Sequence, residues 1–255
     1  MRAPLEVHWV RHGEVASHRG DVPLTEDGLA RAEETGRRLG EELNLGEMVS
    51  FLYAPTRRAR QTAEAIHSGV AASFEGGERD DVELRMPAEE WALRNPDLYV
   101  VGVRVEMVST PEALAEQVPG LRAEELSGHS FFKEFWARPD RVGYWVGHPD
   151  PPGEDWNAVA RRLLAFASSL RYLPKERPRR YVCVTHSPLI RAFLRCHLTN
   201  QDPGEPGYLE SVDLTFSTER RLTVRFRERS STVTLDDAGD IHRPRAKTGR
   251  RESAE

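Results

Sequence analysis

The chain has 255 residues and a formal net charge of -5 at pH 7, from 36 basic and 41 acidic side chains. This length suits one α/β domain with insertions, and the negative charge argues against a nucleic-acid-binding protein. Its two cysteines, Cys183 and Cys196, show no CxxC spacing and the sequence has no HxH motif, so we expect free thiols, a reducing compartment and no metal site.

The first predicted element is a buried strand over residues 5–10, LEVHWV, which ends in Arg11-His12-Gly13-Glu14. The run is mostly apolar, and a charged residue, an imidazole and a glycine follow it directly. Ligands of open α/β sheets bind outside the carboxyl ends of the strands. We therefore expect Arg11 and His12 to face a ligand site, where Gly13 allows the backbone to approach closely.

Two helices and a second strand follow. Thr25 is the predicted N-cap of a helix with apolar residues at three-four spacing, and residues 48–53 are a second short strand. Thr56 is the predicted N-cap of the next helix. This places Arg58 in a first helical turn, where backbone N–H groups favour an anion.

A third short strand is predicted at residues 82–84, and beyond it the pattern changes. Residues 91–152 show no strand alternation and several helix-sized segments, which predicts a helical insertion over the carboxyl edge of the sheet. This insertion is rich in aromatic side chains. They either form its own core, which is the commoner use of large aromatic residues, or line a substrate pocket for a bulky leaving group.

The last third of the chain returns to a strand and helix pattern. Residues 154–170 predict an amphipathic helix, and residues 181–184 predict a buried parallel strand that leads to His186. Ser187 and Pro188 are the expected N-cap and first residue of the next helix. Antiparallel edge strands are predicted at residues 211–216, 222–226 and 230–235. Residues 1–238 are thus predicted to form one domain, followed by a disordered polar tail over residues 239–255.

Three segments of this chain form a recognisable set: Arg11-His12-Gly13-Glu14, residues 54–63 (APTRRARQTA) and residues 182–188 (VCVTHSP). In this order they resemble the histidine phosphatase (phosphoglycerate-mutase-like) superfamily, in the branch with an RHG motif. Together with the predicted elements, the resemblance implies a three-layer α/β/α fold with a mostly parallel central sheet. It also implies phosphate chemistry without a cofactor or a metal.

The family resemblance assigns His12 as the residue that becomes phosphorylated, and Arg11, Arg58 and His186 as the phosphate pocket. These residue types suit the chemistry, because an unprotonated imidazole can attack phosphorus and guanidinium forks can hold the equatorial oxygens. Arg58 is selected over the neighbouring arginines because the family motif has arginine followed by Ala, any residue, Gln, Thr and Ala.

The leaving-group acid is less well marked. In the family it is a glutamate after the third strand, commonly within Leu-x-Glu ahead of a Gly-x-x-Glu-Gly-like stretch, and neither pattern is intact here. Aligning residues 82–84 with that strand brings Glu90 to the acid position, with Glu89 or Glu83 as alternatives. The remaining alternative is that all three are solvated carboxylates.

Other positions also depart from the family pattern. His18 stands where the family has an asparagine that touches the phosphate, and it is either a pH-sensitive phosphate donor or a surface histidine. Glu154 either supports the site from behind or is a favourable acid in a first helical turn. The residues expected to contact the substrate are Gly13, His18, Ser187, Glu89 and Arg94.

The leading hypothesis is a cytoplasmic, metal-independent phosphatase that hydrolyses a phosphorylated small molecule through a phosphohistidine at His12. No membrane partner is expected, because the sequence has no run of about 20 apolar residues. A mutase of the same fold is one alternative, although residues 90–95 (EWALRN) lack the Glu-Arg-His-Tyr-Gly segment of the family's mutases. A phosphate-binding regulatory module that has lost its acid is another.

Overall fold

The computed structural model describes residues 5–17, 20–74, 81–126, 128–172, 177–218 and 220–235. The predictions for His18 and for a disordered tail at residues 239–255 lie outside these ranges. Within them, every helix is too short or too polar to cross a lipid bilayer.

A mixed sheet with parallel strands at its centre organises the molecule. Its parallel strands are β1 (Leu5–Arg11), β2 (Met48–Tyr53), β3 (Glu83–Leu84), β4 (Ala88–Glu89) and β7 (Arg179–Thr185). Its antiparallel strands are β8 (Ser211–Thr218), β9 (Arg221–Phe226) and β10 (Arg229–Thr234). The spatial order is β10-β9-β8-β1-β7-β2-β3, and β4 also pairs with β2. The predicted α/β fold with antiparallel edge strands is confirmed.

The main helices are α1 (Glu26–Glu41), α2 (Arg57–Ala72), α7 (Trp156–Ser169) and α8 (Ser187–Leu194), the last continuing as a π-helical turn over Arg195–Thr199. The predicted caps of the first two are confirmed, since the Thr25 and Thr56 side chains accept hydrogen bonds from Gly28 N and Ala59 N. The prediction for α8 is wrong by one residue. His186 is its N-cap and Ser187 is its first residue. The Ser187 hydroxyl does not cap the helix but donates to Glu205 Oε2 at 2.6 Å.

Helices α1 and α2 approach each other through glycines. A Cβ on Gly36 would overlap the Ile66 carbonyl oxygen, and a Cβ on Gly69 would overlap the Glu33 carbonyl oxygen. The two backbones are therefore closer than any side chain would allow. This contact joins the middle of α1 to the last turns of α2, the helix whose first turn carries Arg58.

The insertion at residues 91–152 contains several short helices, as predicted, but it begins differently. After a 3₁₀ turn at Trp91–Leu93, a hairpin pairs β5 (Leu98–Val100) with β6 (Val103–Val105), which the sequence analysis missed. Strands of three residues are too short to show alternation. The helices are α3 (Pro111–Ala115), α4 (Ala123–Leu126), α5 (Ser130–Ala137) and α6 (Arg141–Gly147). Phe131, Phe132 and Trp145 are buried in the common core, so these aromatic residues serve packing.

Candidate active site

Neighbouring parallel strands bring the two motif histidines together. Arg11 of β1 is in register with Thr185 of β7, so His12 and His186 follow side by side at the carboxyl ends. Their ring centroids are 5.4 Å apart, and the two residues are only 3% and 2% exposed. The predicted convergence of these two strand ends is therefore present in the structure.

The His12 ring is oriented by its own backbone. Its Nδ1 lies 2.8 Å from Gly13 O. A carbonyl oxygen only accepts hydrogen bonds, so Nδ1 bears a proton, and in the neutral ring the lone pair then lies on Nε2. This is the tautomer that a nucleophilic imidazole attacking through Nε2 requires.

The turn at Gly13 is tied to the helix that carries Arg58. Gly13 N donates to Thr62 Oγ1 at 2.9 Å, and that hydroxyl donates to Arg58 O at 2.7 Å. A Cβ on Gly13 would lie 3.1 Å from Gly28 O, so the glycine allows the turn to pack against the start of α1. The role of Gly13 in the structure is thus to bring β1, α1 and α2 together around the site.

Arg58 lies in the first turn of α2 with 12% of its side chain exposed, and its nearest carboxylate is Asp21, 4.0 Å away. Burial lowers the pKa of Arg58, an effect that the charges of Asp21, Glu106 and Tyr208 oppose. Its buried Nε makes no hydrogen bond within the described residues. A bound anion would replace the solvation that burial has removed from the Arg58 guanidinium.

Arg11 is held by a loop that the sequence analysis did not single out. Its guanidinium donates to Pro206 O, pairs with Glu205 Oε1 at 2.8 Å and lies 4.3 Å from the centre of the Tyr208 ring. Glu205 and Tyr208 belong to no motif. The segment that contains them is rich in Gly and Pro, which predicts a loop but does not predict which way the Glu205 carboxylate points.

Behind Arg11 lies a second, fully buried arginine on α8. Arg191 is 0% exposed and makes a two-pronged contact with Asp140, with N–O distances of 2.8 and 2.7 Å. It also pairs with Asp202 and, at 3.0 Å, with Glu205 Oε2. Hydrogen bonding to Arg191 lowers the pKa of Asp140. A Cβ on Gly143 would overlap both Asp140 and Arg191, so that glycine makes the contact possible.

These groups open into a cleft of about 700 Å³ between the sheet edge and the insertion. Arg11, His12, Arg58, His186 and Ser187 all line it, as predicted for a shared anion site. The insertion adds apolar walls together with Asn95 and Arg141. Of its aromatic residues, Phe135 reaches the cleft, whereas the Trp145 ring nitrogen donates to Glu154 O at 3.0 Å.

The predicted acids occupy a different position. Glu90 follows β4, donates from its backbone to Tyr53 O and accepts from Ala92 N at 2.9 Å. Among the described residues that line the cleft, none is Glu83, Glu89 or Glu90.

Arg94 and Glu154 take part in contacts beside the cleft. Arg94 forms an ion pair with Asp97. Glu154 accepts from Arg162 and from the Asp97 backbone, both at 2.9 Å, which suits a supporting role.

Within the described ranges, no group of three or more histidine, cysteine, aspartate or glutamate residues is placed to hold a metal ion. Both cysteines are free thiols, and burial raises the pKa of Cys183. The cleft offers two histidines, His12 and His186, and three arginines, Arg11, Arg58 and Arg141, to an anion.

Several solved structures share this fold. One is a mycobacterial glucosyl-3-phosphoglycerate phosphatase, with 17% identity, a TM-score of 0.51 and coverage of 84% of this chain and 91% of that one. Another is a phosphoglycerate mutase from Bacillus anthracis, with 17% identity, a TM-score of 0.52 and coverage of 88% and 93%. A third, described as mycobacterial hydrolase 2, has 18% identity, a TM-score of 0.53 and coverage of 91% and 93%. At identities this low, the structural similarity shows a shared fold and nothing further.

No curated protein matches the chain. The family model described as histidine phosphatase superfamily (branch 1) matches residues 7–79 and 102–224. The gap between the two matched parts contains Glu83, Glu89 and Glu90, the region in which the sequence pattern departs from the family. Because the match covers well over half of the chain, including Arg11, His12, Arg58 and His186, the chain belongs to branch 1 of the histidine phosphatase superfamily.

Proposed function

We propose that the protein is a phosphomonoesterase that forms a phosphohistidine on His12. The observation that carries the proposal is the His12 ring itself. Its Nδ1–H donates to Gly13 O, so the Nε2 lone pair belongs to a buried imidazole in a cleft that also contains Arg11 and Arg58. Two guanidinium groups beside a neutral imidazole favour attack on a phosphate monoester, because they neutralise its oxygens without protonating the nucleophile.

The reaction has two displacement steps at phosphorus. In the first, His12 Nε2 bonds to phosphorus, the bond to the ester oxygen breaks, and an acid protonates the departing oxygen. In the second, a water oxygen bonds to phosphorus and the bond from phosphorus to His12 Nε2 breaks. The water gives a proton to the carboxylate formed in the first step, and inorganic phosphate leaves the restored imidazole. Arg11, Arg58 and His186 hold the non-bridging oxygens throughout.

We propose Glu90 as the acid. It follows β4, and its backbone bond to Tyr53 O places it at the same sheet edge as His12 and His186. Its carboxylate accepts from Ala92 N, so it must turn away from that bond to reach a leaving group. Glu89, the exposed neighbour, is the alternative.

A phosphate-binding regulatory module is the second candidate. The observation that favours it is that the cleft-lining residues in the described part of the chain include none of the three predicted acids. Such a module would bind phosphate with the same arginines and histidines but would not turn an ester over.

The test is a rapid-quench measurement of acid-labile phosphate on the protein after mixing with an aryl phosphate. We expect label on the wild type, none on His12→Ala, and label on His129→Ala, which removes an exposed histidine outside the cleft. With a poor leaving group, Glu90→Gln should slow label formation about 100-fold or more, whereas Glu89→Gln should not.

The contrary results separate the candidates. Label that persists in His12→Ala would contradict the assigned nucleophile, and equal rates for Glu90→Gln and wild type would contradict the assigned acid. If the wild type binds inorganic phosphate but gives neither label nor turnover with any aryl phosphate, the binding module is the better description.

A further inference from the structure

One cation in the cleft has no task in the proposed chemistry. Arg141 is the first residue of α6, lies in the wall of the cleft and is partly buried. Its buried Nε has no hydrogen-bond partner, and its guanidinium forms no ion pair within the described residues. The other two arginines that line the cleft, Arg11 and Arg58, each lie within 4.0 Å of a carboxylate, so the missing ion pair distinguishes Arg141 from them.

The nearest acidic neighbour in the chain does not serve Arg141. Both oxygens of Asp140 are taken by Arg191, and Asp140 Oδ1 also accepts from Gly143 N. The Asp140 carboxylate is therefore paired with Arg191 of α8 and not with Arg141. Arg141 is left as a partly desolvated positive group with an open fork of donors.

The residue that precedes Arg141 is tied to Arg11 by a series of side-chain contacts. One nitrogen of Arg191, Nη1, contacts both Asp140 and Glu205, and Glu205 in turn pairs with Arg11. The residue before Arg141 is therefore joined through the Arg191 guanidinium to the carboxylate that holds Arg11. Met107, Val108 and Phe135 add apolar wall to the same cleft.

We propose that Arg141 binds a second anionic group of the substrate. The substrates are then phosphomonoesters whose leaving group contains an apolar portion and carries an oxyanion, either a carboxylate or a second phosphate. Arg11 and Arg58 bind the reacting phosphate, the walls of the insertion contact the apolar portion, and the Arg141 fork binds the distal oxyanion. This inference rests on the proposed function for the identity of the reacting group.

Three aryl phosphates that differ in one substituent test the proposal: 4-(carboxymethyl)phenyl phosphate, its primary amide, and 4-(phosphonomethyl)phenyl phosphate. For the wild type, kcat/KM should be higher for an anionic member than for the amide. Arg141→Met should reduce that preference about 10- to 100-fold, mainly through KM, because a hydrogen bond to a charged group is lost. Arg141→Lys should keep part of the preference, since it keeps the charge but not the fork. Arg161→Met, on an exposed position of α7, is the control and should keep it all.

The substituent with the larger preference identifies the oxyanion as carboxylate or phosphate. Equal kcat/KM for all three compounds in the wild type, or a preference that survives in Arg141→Met, would overturn the proposal. Calorimetric binding of the same compounds to His12→Ala decides the matter without turnover. If the wild type fails to hydrolyse any of them, the proposed function fails, yet loss of the binding preference in the double variant His12→Ala/Arg141→Met would still support Arg141 as the anion site.

Discussion

At the scale of single residues, the ion pair between Glu205 and Arg11 leads to a prediction about activity. Glu205→Ala removes the carboxylate that accepts from Arg11 at 2.8 Å, and leaves Arg11 with Pro206 O and the Tyr208 ring. We expect kcat/KM for an aryl phosphate to fall about tenfold, the usual effect of losing one charged hydrogen bond that orients a reacting group. Steady-state kinetics of the wild type and Glu205→Ala measures the ratio of the two kcat/KM values.

Two further variants make the Glu205 result specific. Glu205→Gln keeps an oxygen for Arg11 and should lose less activity than Glu205→Ala. Glu134→Gln, which changes an exposed partner of Arg138 on α5, should lose none. Full activity in Glu205→Ala would show that the backbone carbonyl and the tyrosine suffice to position Arg11.

The sequence predicts the residues of the site that belong to local motifs and misses those that depend on tertiary placement. Arg11, His12, Arg58 and His186 each end an apolar strand or begin a capped helix, so their position follows from local pattern. Glu205 and Arg141 lie in a loop and in the insertion, where nothing local specifies which way a side chain faces. Glu205 and the residue before Arg141, Asp140, both contact the buried Arg191, which an apolar helix pattern does not reveal.

At the scale of elements, the close contact between α1 and α2 depends on Gly36 and Gly69. Gly69→Ala would drive a methyl group into the Glu33 carbonyl oxygen, so the helices must separate. We expect the free energy of unfolding to fall by about 3 kcal/mol, as for overpacking in a close-packed interior. Urea denaturation followed by circular dichroism gives the value.

The neighbouring Ser68→Ala is the matched control for Gly69→Ala. Ser68 is exposed on the same turn of α2, and alanine is the better helix former, so its stability should be unchanged or slightly higher. A Gly69→Ala variant as stable as the wild type would mean that the two helices can move apart without cost.

Prediction of elements succeeds for the long strands and misses several of the short ones. Strands β1, β2 and β7 have six or seven residues each, and their apolar runs are visible in the sequence. Strand β4 and the hairpin β5–β6 have two or three residues per strand and are defined by pairing alone. The start of α8 was misplaced because the Ser187 hydroxyl has a partner distant in sequence, Glu205.

At the scale of the whole molecule, Asp97 links the hairpin of the insertion to the segment that leads into α7. It pairs with Arg94 and Arg104, and its backbone contacts Glu154. Burial would raise the pKa of Asp97, but hydrogen bonds from Arg94 and Arg104 lower it from 3.8 to about 2. A depressed pKa stabilises the folded state above the unfolded value and loses that contribution as the pH falls through the folded value.

Asp97→Asn should therefore be less stable than the wild type at neutral pH, and the difference should shrink as the pH is lowered from about 4 to 2. Urea unfolding of both proteins across this range measures the difference. Ser68→Ala, at an exposed site without a titratable group, should show a difference that does not vary with pH. A constant difference for Asp97→Asn would contradict the assigned ion pairs.

The buried Arg191 has a consequence for protein engineering. Its guanidinium contacts both Asp140, in the insertion, and Glu205, the carboxylate that pairs with Arg11. Grafting another relative's insertion onto this scaffold without an acidic residue at position 140 would leave a desolvated cation short of a partner, directly behind the ion pair that holds Arg11. Such a graft would also disturb the contact between Glu205 and Arg11. The insertion and the loop at residues 202–208 therefore have to be transplanted together.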